Sequence, residues 1–333
     1  MFVSRALVCL SLLLGTTQAV LSPPARTVAQ WDVGTWAENI AVRSNGHLIV
    51  TMLGVPEIWS VDPFTSTKSL IATLTGVTGV TGIDELAHDV FAFAAGNFTI
   101  ANATATPGSY SIWTLDLNGP GKTKVVKKTV DVPGATLLNG LTTLDAVKGD
   151  VLVSDSGLGN VIRVNAYTGA AKVVISDPAF SPPAEGPQLG INGIRLSSRT
   201  GPRRTLFFNN WGNSFFGSVP VAADGTATGP VKIIAHNVGL LDDFALSPCG
   251  AYVWDLAEGQ NELFKISLKT GEATLIAGAP DSALIPGGTS VVFGRTAKDK
   301  DVLYVTTSGG LAGPINGTYV EGAKIVAFNV RGL

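Results

Sequence analysis

The chain has 333 residues, a formal net charge of −2, and 14% charged against 45% hydrophobic residues. That length can bury a large core, and the charge balance offers nothing to a nucleic-acid backbone or an anionic membrane. Of the two cysteines, Cys9 lies in an amino-terminal leader, so Cys249 has no partner in the chain and a disulfide framework is excluded.

In chain order, residues 1–19 (MFVSRALVCLSLLLGTTQA) place Arg5 before an apolar run and end in small residues at Thr17 and Ala19. This is the pattern of a secretory signal cleaved after Ala19, and the run is too short to span a bilayer. The expectation is a secretory-pathway protein, secreted or vesicular, with residues 20–333 forming one domain. Sequons at Asn97, Asn102 and Asn316 are the matching glycan acceptors.

After the leader the chain reads as all-β. Short β-branched runs alternate with Gly, Asn, Asp and Pro, and helical periodicity is hard to find. A first strand, TVAQWDV at 27–33, precedes six segments that share one grammar: a polar start, an apolar strand, a turn and a second apolar strand. They begin ENIAVRSNGHLIVT at Glu38, TGIDELAHDVFAFAAG at Thr81 and NGLTTLDAVKGDVLVSDS at Asn139. The others begin NGIRLSSRTGPRRTLFFNN at Asn192, DDFALSPCGAYVWDLAEG at Asp242 and GTSVVFGRTAKDKDVLYVTTSGG at Gly288. Successive starts lie 43 to 58 residues apart. Most segments continue into a second strand pair, as in NVIRVNAYTGAAKVVI and ELFKISLKTGEATLIA. Four strands per repeat of this length is the period of a propeller blade. The expected fold is a six-bladed β-propeller in which residues 27–33 pair with the last blade, at KIVAFNV, to close the ring.

Innermost strands of a propeller line a central channel, so residues in phase converge at one end. Glu38, Asn139, Asn192 and Asp242 share that phase. Two carboxylates and two amides suit a hard divalent cation such as Ca²⁺, although Asn-Gly and Asp-Asp before a strand also read as ordinary turn residues. In NNWGNSFFGSV, the aromatics Trp211, Phe215 and Phe216 either pack in the core or line a pocket. Alternation would let only one of the two phenylalanines face it. His236 lies six residues before Asp242 and is a candidate for the same mouth, whereas His47 and His88 sit in turn-like segments. Cys249, in SPCG, reads as a buried or idle thiol, with no basic neighbour in sequence to activate it. No G-x-S-x-G, HExxH or Cys–His signature appears, and GLGN and GVTGVTG lack the strand-to-helix context of a nucleotide site. An aromatic, apolar mouth with a few polar groups describes a small-molecule site.

The repeat grammar and the four polar starts resemble the gluconolactonase and regucalcin superfamily of six-bladed propellers, over almost the whole chain after the leader. That resemblance implies a Glu–Asn–Asn–Asp metal set at Glu38, Asn139, Asn192 and Asp242, and a lactonase that would use Asp243 as base. The first blade reads ENIAVR, where those lactonases typically have Glu-Gly-Pro-x-Trp. ENIAVRSNGHLIVT, VPEIWSVDP and LYVTTSGG resemble more closely a secreted fungal branch that includes hetero-Diels–Alderases of tropolone–sesquiterpenoid biosynthesis. This implies a cofactor-independent cycloaddition between apolar small molecules, a quinone-methide-type heterodiene and a terpene alkene. Asn139, Asn192 or His236 would donate a hydrogen bond, and Trp211, Phe215 and Phe216 would form the walls. A propeller that only binds a ligand is the third reading.

Overall fold

The computed structural model describes residues 23–119, 124–186, 188–197 and 204–333; the leader lies outside them. Six four-stranded antiparallel sheets follow one another round a ring. Their innermost strands are Trp36–Val42, Gly79–Ala87, Leu138–Asp145, Ile191–Leu196, Leu241–Leu246 and Gly288–Phe293, blades 1 to 6 in order. Each innermost strand packs beside the next, and the sixth meets the first. Apolar clusters fill the spaces between and within neighbouring blades. The sheet of blade 6 is completed by Ala25–Val33, which pairs antiparallel with Gly322–Asn329 and buries Val28, Ala29 and Trp31. The expected closure is therefore present: the amino-terminal strand supplies the outermost strand of the last blade, leaving only the short outer edge of each blade. Among the described residues no helix is long and apolar enough to cross a membrane.

The polar residues that open the six repeats in sequence are not strand ends. Each innermost strand begins one or two residues before its bulged polar residue and carries a register shift there. Such a bulge places two residues opposite one, or slips the register by one, and re-aims a side chain out of the normal alternation. Here it turns Glu38, Thr81, Asn139, Asn192, Asp242 and, in blade 6, Thr289 into the channel phase, so Gly288 was one residue early.

The next residue is Gly82, Gly140 and Gly193 in blades 2, 3 and 4. A Cβ at Gly82 or Gly140 would run into the backbone of the following blade, and one at Gly193 into Asp243. The glycine in Asn-Gly thus serves close approach of strands rather than a turn. Hydroxyls and amides stitch the ring at the same level. Thr51 donates to Thr81 O at 2.9 Å, Thr81 to Leu138 O at 2.7 Å, Ser154 to Asn192 O at 2.6 Å and Thr289 to Ala37 O at 2.6 Å.

Asp243 holds the remaining side of the ring. It is buried and accepts from Asn39 Nδ2 of blade 1 at 2.9 Å, Arg195 Nη2 of blade 4 at 2.6 Å and Ser290 Oγ of blade 6 at 2.9 Å. One carboxylate of blade 5 therefore joins three other blades.

Candidate active site at the channel mouth

The bulged residues Glu38, Thr81, Asn139, Asn192 and Asp242 form one end of a cavity of about 480 Å³. Apolar and aromatic groups surround them: Trp36, Leu53, Phe98, Leu137, Leu189 and Trp211, together with Glu258. Trp36 donates its indole N–H to Glu38 Oε2 at 2.5 Å, Asn192 Nδ2 to Asp242 Oδ1 at 2.7 Å, and Trp211 Nε1 to Glu258 Oε2 at 3.1 Å. Two polar atoms in this wall, Asn192 Oδ1 and Glu258 Oε1, are buried without any partner.

Three buried carboxyl groups that face one another resist ionisation. Burial, then the charge of Glu258, raises Glu38 to about 8, against a weaker lowering by the Trp36 hydrogen bond. Burial raises Glu258 to about 7, partly offset by Trp211. Burial, followed by Glu258, Glu38 and Asp243, also lifts Asp242 well above the usual carboxylate range. Desolvation and like charge act together here, and near neutrality the cluster holds protons that an exposed set would lose.

Glu38, Asn139, Asn192 and Asp242, placed together by their phase, meet at one cavity, and Trp211, which could equally have packed in the core, lines it as well. Phe215, Phe216 and His236 do not line it. The turn after Trp211 leads into the third strand, Phe215–Val221, which lies two strands out from the channel. There Phe216 is fully buried, 5.0 Å between ring centroids from Phe244, and Phe215 packs edge-on to Phe208 at 6.2 Å. His236 ends the outermost strand, Lys232–His236, and is exposed beside Phe215. Six residues of sequence from Asp242 is the width of a blade in space. Asp243 is also unsuited to the base role a lactonase would give it, because three donors from other blades already occupy it. Cys249 is exposed rather than buried. Its hydrogen-bond partner Ser247, with a smaller effect from Lys265 on a neighbouring strand, lowers the thiol below its usual value. Of the sequon asparagines, Asn102 and Asn316 are exposed and Asn97 is half-buried.

Sequence reasoning missed Trp36 and Glu258. Both carry a signal. Trp36 stands two residues before Glu38 on the same strand. Glu258 precedes the glycine that closes a second strand, as do Leu53, Ser156, Trp211 and Ser308. That phase forms a second tier above the bulges, and three of its members, Leu53, Trp211 and Glu258, face the cavity.

The donor chemistry of Glu38, Asn139, Asn192 and Asp242 fits a hard cation, and the orphaned Asn192 Oδ1 is a free amide ligand. Among the described residues no three His, Cys, Asp or Glu side chains form a metal-binding group, so the amides would have to supply part of the shell.

A six-bladed ring with a polar cluster in its channel mouth defines the class: a six-bladed β-propeller with a cavity at one end of its channel. Solved structures agree on the fold. A luciferin-regenerating enzyme matches with a TM-score of 0.65 at 16% identity, covering 93% of this chain and 96% of that one. Regucalcin of Agrobacterium tumefaciens, a calcium-binding protein, matches at 0.64 and 14% identity with the same coverage. No family model matches. Among curated proteins, a Phoma sp. protein named "Putative hetero-Diels-Alderase" is 30% identical over 313 residues, 85% of this chain and 86% of its own length. One of the same description from Sarocladium schorii is 26% identical, covering 88% and 80%. The chain belongs to this hetero-Diels–Alderase family and is an enzyme of the pericyclase type.

Proposed function

We propose that the channel mouth joins a quinone-methide-type heterodiene to a terpene alkene by intermolecular hetero-Diels–Alder addition. One C–C and one C–O bond form while three π bonds become one, and nothing leaves, so no nucleophile is required. The observation that carries this reading is Glu258: a buried carboxyl in the cavity, fixed through Oε2 by Trp211, with Oε1 unpartnered and an acidity shifted to about 7. As the neutral acid it would donate from Oε1 to the heterodiene oxygen, where electron density rises as the alkene adds. A preorganised donor in a dry site stabilises that build-up more than water does, and a neutral carboxylic acid is a good one. Asn139 of blade 3 and Asn192 of blade 4 are further amide donors lining the same cavity. The apolar lining excludes water and holds both reactants, which replaces a bimolecular encounter by an oriented pair.

No cofactor is needed for these steps. A divalent cation, if bound, would be held by Glu38, Asn139, Asn192 and Asp242, and would supply Lewis acidity and relieve carboxylate repulsion. Secretory-pathway targeting belongs to the same proposal, supported by the leader-like residues 1–19 and by the exposed sequon residues Asn102 and Asn316.

The test is incubation of the purified protein, with and without EDTA, with a quinone-methide precursor plus a humulene-type alkene, and separately with a lactone panel. Stereoselective adduct that survives EDTA, and that falls at least about ten-fold in Glu258→Gln or Trp211→Ala, is expected. EDTA-sensitive lactone opening without adduct would overturn the proposal in favour of a lactonase. Neither reaction above the no-enzyme control would leave a ligand-binding propeller.

A further inference from the structure

Blade 2 differs from blades 1, 3, 4 and 5 in the connection between its second and third strands. Those four use turns of three or four residues, whereas blade 2 spends residues 97–110 on a small flap. In the flap Phe98–Thr99 pairs with Thr104–Ala105 across a 3₁₀ turn, Ile100–Asn102, closed by Ala103 at φ +50°. The Thr78 hydroxyl pins it, accepting from Phe98 N at 2.8 Å and donating to Phe98 O at 2.9 Å. Ile100 seats over Gly54 of blade 1 and leaves no room for a Cβ there. The flap is thus docked on blade 1, and Phe98, Ala103, Thr104 and Ala105 wall the cavity. Phe98 meets the edge of Trp36 with ring centroids 6.4 Å apart. Trp36 in turn spends its only donor on Glu38, so it shows the cavity no free polar atom.

The wall is therefore asymmetric round the ring. Blades 1 to 3 contribute the carbon surfaces of Trp36, Leu53, Phe98 and Leu137 beside the polar Glu38, Thr81, Thr104, Thr136 and Asn139, and none of their polar atoms in the cavity is both fully buried and without a partner. Blades 4 and 5 contribute Trp211, Glu258, Asn192 and Asp242, including both orphaned atoms, Asn192 Oδ1 and Glu258 Oε1.

Resting on the cycloaddition reading, we infer that the mouth is divided into two subsites: the flap and the Trp36–Phe98 pair hold the hydrocarbon alkene, and the Trp211–Glu258 side holds the oxygen-bearing heterodiene. Phe98 is then a specificity-determining residue for the alkene. An apolar partner gains from the carbon patch of Trp36, Leu53, Phe98 and Leu137, whereas beside Trp211 and Glu258 it would cover buried polar atoms left without partners. An oxygenated ring has the reverse preference. The two walls face one cavity, so this placement also brings the reacting ends together at its centre.

Binding of two unreactive probes tests the division: α-humulene for the hydrocarbon and 2-hydroxybenzyl alcohol for the oxygenated ring, each titrated calorimetrically against intact protein. Phe98→Ala is expected to weaken α-humulene about ten-fold, equivalent to about 1.4 kcal/mol, and to change the alcohol less than about two-fold. Phe98→Leu, which keeps apolar bulk, should recover most of the loss, and Glu258→Gln should show the opposite selectivity. If both variants weaken both probes alike, or Phe98→Ala weakens only the alcohol, the division is wrong, even where adduct still forms. If the split holds but no variant or parent forms adduct, the subsites stand and the cycloaddition reading falls.

Discussion

Replacing Asp243 by alanine should be the most damaging single change in the channel. Its carboxylate receives three side-chain donors, from blades 1, 4 and 6, and Phe244 N as well. Hydrogen bonds to a charged partner contribute about 1.5–3 kcal/mol each, and breaking a buried ion pair from one side costs about 3–5 kcal/mol because the remaining charge is stranded. Arg195 keeps some water, with 17% of its side chain accessible. Solvent can also enter the space the carboxylate leaves, so the lower end of that range applies, about 3 kcal/mol. Urea unfolding followed by tryptophan fluorescence measures it through the midpoint, and the loss should be accompanied by a Tm lower by roughly 5 °C or more. Ser290→Ala alone should cost about 1 kcal/mol. The Asp243→Ala/Ser290→Ala double variant should cost less than the two together, since the hydroxyl has already lost its partner. A loss below about 1 kcal/mol for Asp243→Ala, or strict additivity, would refute the view that this carboxylate ties four blades together.

Three other outcomes are expected. Deleting Ala25–Val33 removes the closing strand with its buried Val28 and Trp31, and should abolish soluble expression or lower Tm by more than about 10 °C. Gly140→Ala puts a Cβ 2.5 Å from Asn192 O, a backbone atom that cannot swing away, and should cost more than about 2 kcal/mol in denaturant unfolding, while Gly134→Ala, with open space around it, should be near neutral. Because Glu38 and Glu258 are raised to about 8 and about 7 in the folded chain, the native state holds more protons than the unfolded one above the ordinary value of 4.5. Stability should therefore be greatest below about pH 4.5 with respect to these groups and fall as pH rises to 8, and Glu258→Gln should flatten part of that slope in a pH series of melts.

Much of the architecture was legible because a propeller writes the same strand pair six times, and the in-phase residues Glu38, Asn139, Asn192 and Asp242 followed from that repetition. The bulge was not legible: a one-residue change of register leaves no mark in a run such as LLNGLTTL, where Leu138, Asn139 and Gly140 read equally well as a turn. The error over Phe215 and Phe216 came from treating nearness to Trp211 in sequence as nearness to the channel. A tight turn moves the chain a full strand outward, and the third strand belongs to the packing between blades. His236 failed for a related reason, since the outermost strand and the next innermost one are consecutive in sequence and a blade apart in space. The flap escaped notice because its residues, NFTIANATA, advertise sequons more strongly than a hairpin.

The bulges have a consequence for how such a site can change. A side chain on a regular strand is paired across the ladder, and replacing it disturbs its neighbours above and below. Glu38, Thr81, Asn139, Asn192, Asp242 and Thr289 stand instead on the extra residue of each strand, while the glycines beside three of them and Asp243 bear the fit between blades. In blades 1, 3, 4 and 5, chemistry and scaffold therefore sit on adjacent but separate positions. Randomising Glu38, Asn139, Asn192 and Asp242 together, with Asn39, Thr81, Gly82, Gly140, Gly193, Asp243, Thr289 and Ser290 left untouched, would make a library whose members differ in reactivity far more than in foldedness, because the Thr81 and Thr289 hydroxyls tie neighbouring blades.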